Sequence, residues 1–98
     1  MTKKVNTYKL TLEQVDLHDK DLKTSEPLSF EFENHDEIFE IIKKMKSKNI
    51  FKSDKEATEF ALGLKLFSEV MVKNRDHKIF KKLLPVFGKF MKKLKKYK

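Results

Sequence analysis

Hydrophobic and polar positions alternate with a period of two in two segments near the start of the chain. Every second side chain there is large and apolar, namely Tyr8, Leu10 and Leu12 in the first segment and Leu28, Phe30 and Phe32 in the second. Such alternation is typical of strands that bury one face. We therefore predict an antiparallel hairpin over about residues 5–33, with a polar connection over about residues 16–26 that is too long for a tight turn.

The pattern changes to a helical period after the second predicted strand. Apolar residues then recur three and four positions apart, at Ile38, Ile41, Ile42 and Met45. We predict a helix over about residues 35–48. Asn34 is expected to be its N-cap, because Glu37 lies three positions later and completes a capping box.

A longer helical pattern follows and carries two apolar faces. Ser53 and Glu56 form a second capping box, which predicts a helix over about residues 54–74. At about 100° per residue, one face collects Ala57, Phe60, Ala61, Leu64, Phe67, Ser68 and Met71. The opposite face collects Leu62, Leu66 and Val70. We predict that this central helix is buried on two sides, and that Gly63 lies within it because another backbone approaches closely there.

The last segment is amphipathic and contains Pro85. Because proline cannot donate to a helical ladder, we predict two pieces, over about residues 78–84 and 86–96. The phenylalanines on the apolar faces of all three helical patterns, including Phe39 and Phe90, are expected in the core. Together these elements predict an α+β fold, ββααα, in which a two-stranded antiparallel hairpin is followed by three to four helices.

Length and composition narrow the class of protein. A chain of 98 residues fits one compact domain over residues 1–98. The absence of cysteine excludes disulfides, thiolate catalysis and cysteine-held metals. The N-terminus carries no signal-peptide pattern, and no apolar run approaches the roughly 20 residues that span a bilayer, so we expect no membrane insertion. These features favour a cytoplasmic protein.

The positive charge is concentrated at the C-terminal end. Residues 78–98 carry nine lysines and no acid, whereas residues 1–77 carry 14 basic and 15 acidic side chains. The candidate anion-binding residues are Lys82, Lys89, Lys92, Lys93 and Lys96, which suit phosphate backbones or anionic lipids. Alternatively, the lysines offset the helix dipole and keep the segment soluble. Arg75 is the only arginine, which favours that alternative, because nucleic-acid-binding sites prefer arginine.

Four stretches carry a resemblance to a known family: LSFEFENHD (residues 28–36), EFALGLKLFSEVM (residues 59–71), KNRDH (residues 73–77) and FGKFMKKL (residues 87–94). They are similar to the small bacterial family known as domain of unknown function 3861, and the resemblance extends from Tyr8 to about Lys95. The family has no assigned activity. The resemblance therefore implies a small, stand-alone bacterial cytosolic protein and supplies no catalytic residues.

The sequence contains no recognisable catalytic or metal-binding motif. Its three histidines, at positions 18, 35 and 77, do not share the spacing of a metal site. The best candidate for a polar site combines opposite charges with a helix end, and consists of Lys65, Glu69, Lys73, Arg75 and His77. Salt bridges and capping are the alternative role for this group. We predict no catalytic residue, no metal and no cofactor.

The favoured functional hypothesis is a non-enzymatic protein-interaction module. Its surface would be the second apolar face of the central helix or the free edge of a strand, and its partner a second copy or another, unknown protein. The runner-up is nonspecific nucleic-acid binding through the C-terminal lysines. An enzyme and a peripheral membrane-surface protein are further alternatives.

Overall fold

The computed structural model describes residues 4–97. The elements follow in the order β1 (Asn6–Leu12), β2 (Leu28–Asn34), α1 (Ile38–Ser47), α2 (Asp54–Lys73), α3 (Lys78–Lys81) and α4 (Leu83–Lys96). They confirm an α+β fold in which a two-stranded antiparallel hairpin precedes four helices. The chain divides into two compact units, Met1–Asp36 with the hairpin and Glu37–Lys98 with the helices.

The hairpin pairs β1 with β2 in a register that agrees with the alternating pattern. Tyr8 lies opposite Phe32, Leu10 opposite Phe30 and Leu12 opposite Leu28, so all six apolar side chains share one face. On the other face, Lys9 opposes Glu31, and the hydroxyls of Thr11 and Ser29 hydrogen-bond at 3.0 Å. Opposite charges and paired hydroxyls across the strands each contribute roughly 0.2–1 kcal/mol.

The two ends of the hairpin differ in how well they are held. At the end where β1 begins, Tyr8 Oη and Asn6 Nδ2 donate to the Asp36 carbonyl at 2.9 and 3.2 Å. The Tyr8 ring also stacks on Phe32, with centroids 5.5 Å apart. At the far end, Leu12 and Leu28 face each other but are both exposed. The far end of the hairpin therefore keeps its apolar side chains exposed.

The prediction that Asn34 begins the first helix is wrong. Asn34 ends β2, is buried, and accepts a hydrogen bond from the Asp36 amide through its side chain at 2.9 Å. The N-cap of α1 is Glu37, whose carboxylate accepts from the amides of Phe39 and Glu40. An asparagine can close an Asx turn as readily as it caps a helix, and here the turn prevails.

In the helical unit, α1 packs against α2 around a small core. Met45 of α1 contacts Ala57 and Ala61 of α2, and all three side chains are buried. Around this cluster lie partly buried apolar residues from α1, α2, α4 and the α1–α2 connection, namely Ile41, Ile42, Ile50, Phe51, Phe60 and Leu94. Two alanines one turn apart leave room for the larger side chains of α1.

The long helix α2 begins and ends as its sequence predicts. Its N-cap is Ser53, whose hydroxyl accepts from the Glu56 amide at 3.1 Å. Within the described residues of one chain, the expected close approach at Gly63 is not made, since no atom of another described element lies within 4 Å of where a Cβ would stand. Asn49, two positions after α1, adopts a positive φ of 54°, which asparagine tolerates better than most residues.

The last segment forms two pieces, but the break lies at Lys82 and not at Pro85. Pro85 occupies the third position of α4, inside the first turn, where its missing amide donor costs nothing. The backbone of Lys82 is itself helical, with φ −77° and ψ −28°. His77 caps α3, because its Nδ1 accepts from the Ile79 amide at 3.1 Å.

The prediction of one domain over residues 1–98 includes positions 1–3 and 98, which lie outside the described residues. Within residues 4–97, no helix combines the length and the apolar character that crossing a membrane requires.

Candidate functional site

The second face of α2, formed by Leu62, Leu66 and Val70, lies opposite the side that contacts α1 and α4. Leu62 and Leu66 are half-buried, and Val70 is 54% exposed. Gly63 adjoins this face, and the space around it is open. Apolar side chains that remain exposed around an open glycine form a surface on which another chain can pack.

The other side of α2 is occupied within the helical unit. Phe60 contacts Phe51 and Phe90, with ring centroids 4.9 and 6.4 Å apart. Phe67 contacts Phe80 and Phe87 edge-on at 6.4 and 6.2 Å. These aromatic pairs hold α3 and α4 against α2, and edge-to-face contacts are the geometry that ring quadrupoles favour.

The predicted polar site is spread over three elements. Lys65, Glu69 and Lys73 follow one another at one-turn intervals along α2, where the first two are half-buried and Lys73 is exposed. Arg75 lies in the turn after α2, and His77 is the N-cap of α3. The His77 ring also contacts Phe80 edge-on at 6.4 Å. Its described contacts are therefore those of a capping residue.

The candidate anion-binding lysines are all exposed. Lys82 joins α3 to α4, and the others lie on α4, namely Lys89, Lys92, Lys93 and Lys96. At the C-terminal end of the helix, Lys48 Nζ donates to the Tyr97 carbonyl at 2.8 Å, which links the end of α1 to the end of α4. Positive charge in the last turns also opposes the negative end of the helix dipole.

Sequence reasoning missed an exposed apolar strip on α3 and α4. It consists of Ile79, Leu83, Val86 and Phe90, which are 70, 37, 62 and 42% exposed. The expectation that the phenylalanines on the apolar faces are core residues is wrong for four of them, namely Phe30, Phe39, Phe67 and Phe90, which are 45, 64, 47 and 42% exposed. The four residues of the strip recur at intervals of four, three and four, so helical spacing permits this stripe, but spacing alone does not separate it from the half-buried Phe87 and Leu94.

The histidines and carboxylates of residues 4–97 do not gather into a metal site. No group of three such side chains in this range lies close enough to hold an ion. In the same part of the chain, every buried side-chain nitrogen and oxygen atom has a hydrogen-bond partner.

Comparisons with known proteins agree with the resemblance noted above. The sequence model of the family described as a domain of unknown function with a solved structure, DUF3861, matches residues 6–96. A crystal structure of a protein of unknown function from Pectobacterium atrosepticum superposes with a TM-score of 0.79 at 37% identity. The match covers 93% of this chain and 97% of that one. No curated protein matches the chain.

Proposed function

This chain belongs to the DUF3861 family, and we propose that it is a non-enzymatic interaction module that self-associates through the second face of α2. The observation that carries the proposal is the exposure of Val70 beside the half-buried Leu62 and Leu66. Burying an apolar side chain of this size against a partner is worth about 1.5–3 kcal/mol when complete. The absence of cysteine supports a reducing compartment such as the cytoplasm.

A two-fold antiparallel pair of α2 helices that cross at Leu66 matches this face to itself. Leu62 lies as far before Leu66 as Val70 lies after it, so Leu62 of one copy meets Val70 of the other. Glu59 and Lys73 are likewise equidistant from Leu66, and both are exposed. An isologous contact with apolar residues at its centre and opposite charges at both ends is self-complementary. A second copy therefore fits this surface.

Two valines on α2 provide a matched test of this surface. Val70 and Val72 have similar exposures, 54 and 46%, but point about 160° apart around the helix. We expect a dimer by light scattering coupled to size exclusion, loss of that dimer in Val70→Glu, and its retention in Val72→Glu. Circular dichroism checks that both variants fold.

Charge reversal tests the orientation of the pair. Glu59→Lys places like charges together at both ends of the contact and should weaken the dimer. Adding Lys73→Glu should restore it, because the opposite charges are exchanged. A monomer at all concentrations would overturn the proposal. A dimer that Val70→Glu leaves intact would place self-association elsewhere, for example at a strand edge.

The second candidate function is nonspecific nucleic-acid binding through the exposed lysines of α4. It is favoured by the absence of acidic residues from positions 78–98. Affinity for a short duplex should then fall steeply with salt, because each neutralised phosphate releases a counterion. Lys92→Gln with Lys96→Gln should reduce the salt dependence, whereas Lys44→Gln with Lys46→Gln on α1 should not.

A further inference from the structure

The exposed strip Ile79, Leu83, Val86 and Phe90 lies next to a row of lysines. Lys82 is four positions before Val86, Lys89 is three after it, and Lys93 is three after Phe90. Residues three or four apart are neighbours on a helix surface. Ile79, Val86 and Phe90 therefore each have a lysine one turn away on the helix surface, Lys82 being three positions after Ile79. We propose that this strip and its lysines bind the surface of an anionic lipid bilayer, with α4 lying in the interface.

Charge excludes a second copy of this strip as the occupant. Both strips would bring several lysines to the contact, and the α3–α4 segment has no acid to offset them. Like charges across an interface cost several kcal/mol. The exposed strip is thus distinct from the α2 face proposed for self-association.

A nucleic acid would contact only the charged part of this surface. Phosphates would contact the lysines, but Ile79 and Val86, which are the two most exposed members of the strip, would remain in water. A bilayer offers anionic headgroups to the lysines and a hydrocarbon boundary to the strip at neighbouring depths. The long lysine stems allow their ammonium groups to reach the headgroups while the stems lie along apolar surface.

The arrangement of the helix supports a position in the interface. One side of α4 is held by the helical unit, because Leu94 packs on the Met45, Ala57 and Ala61 core and Phe87 contacts Phe67. The strip lies beside that anchored side, and the exposed lysines Lys89, Lys92, Lys93 and Lys96 follow beyond it around the helix. Basic residues next to an apolar stripe are typical of helices that bind at the surface of a membrane.

Co-flotation of the full chain with vesicles tests this proposal. We expect binding to vesicles of phosphatidylglycerol with phosphatidylcholine and little binding to phosphatidylcholine alone. Val86→Ser with Phe90→Ser should weaken binding about tenfold or more, because the apolar contact is lost. Phe39→Ser removes a ring from α1 that is more exposed than Phe90, 64 against 42%, and should leave binding unchanged. Lys89→Gln with Lys93→Gln should weaken binding about fivefold per lysine.

A spectroscopic probe reports insertion directly. The chain has no tryptophan, so Val86→Trp introduces a single indole. Its emission should shift to shorter wavelength on anionic vesicles and stay unchanged on a DNA duplex. Absence of vesicle binding would overturn the proposal. Binding that Val86→Ser with Phe90→Ser does not weaken would also overturn it, and would leave a polyanion contact made by lysines alone. Neither result depends on whether α2 forms a dimer.

Discussion

The two helices that pack on α2 do so with different side chains. α1 meets α2 through Met45 against Ala57 and Ala61, which are 0–4% exposed. α4 contributes no fully buried residue and contacts α2 largely through aromatic rings about 6 Å apart. Small residues on α2 allow α1 to approach closely, whereas α4 meets α2 through bulky phenylalanine rings. The contact with α1 therefore carries more of the stability, and α4 keeps apolar side chains exposed for a ligand.

The largest expected effect is on the free energy of unfolding, when one apolar side chain is truncated in each of these two contacts. Met45→Ala should lower the free energy of unfolding by about 3 kcal/mol, because it leaves a cavity in the buried cluster. Phe90→Ala removes a larger side chain but should cost only about 1 kcal/mol, since 42% of the residue is already in water. Urea denaturation followed by circular dichroism measures both. A cost for Phe90→Ala equal to that for Met45→Ala would refute the comparison.

The N-terminal caps of α2 and α4 also differ. The hydroxyl of Ser53 accepts a hydrogen bond from an amide at the start of α2, whereas Lys82, the N-cap residue of α4, makes no side-chain capping bond. Ser53→Ala should therefore cost about 1 kcal/mol, and Ser53→Gly only a few tenths. The difference in urea midpoint between the two variants isolates the cap. Equal losses in both variants would show that the hydroxyl contributes little.

Elements with strong local signals were predictable from the sequence, and those decided by competition were not. Alternation predicted the two strands and their shared apolar face, and the Ser53 cap predicted the start of α2, whereas the pairing of Leu10 with Phe30 came from the structure. Asn34 was misassigned because a turn and a helix cap use the same side-chain oxygen. The periodicity of α4 marked Phe90 as apolar but could not tell how much of it α2 would cover.

Of the two candidate surfaces, one was predictable from the sequence and the other was not. The second face of α2 follows from helical spacing alone, and the structure adds that Val70 remains exposed. The strip on α4 required the structure, because helical spacing groups Leu83 with the half-buried Phe87 and Leu94 as readily as with the exposed Val86. Lys82, which separates α3 from α4, has a helical backbone, so Ile79 keeps its helical spacing to Leu83.

The smallest expected effect compares the two glycines, one in each helix. In the described part of the chain, neither Gly63 in α2 nor Gly88 in α4 has a neighbouring element within 4 Å of the place where an alanine methyl would stand. Alanine should therefore stabilise each helix by up to about 1 kcal/mol through its higher helix propensity. Thermal denaturation of Gly63→Ala and Gly88→Ala at low protein concentration measures both gains. Each variant is compared with the unsubstituted protein at the same protein concentration. If the stability gain of Gly63→Ala disappears as the concentration rises while that of Gly88→Ala persists, a second backbone approaches α2 at Gly63, as close packing of paired α2 helices requires.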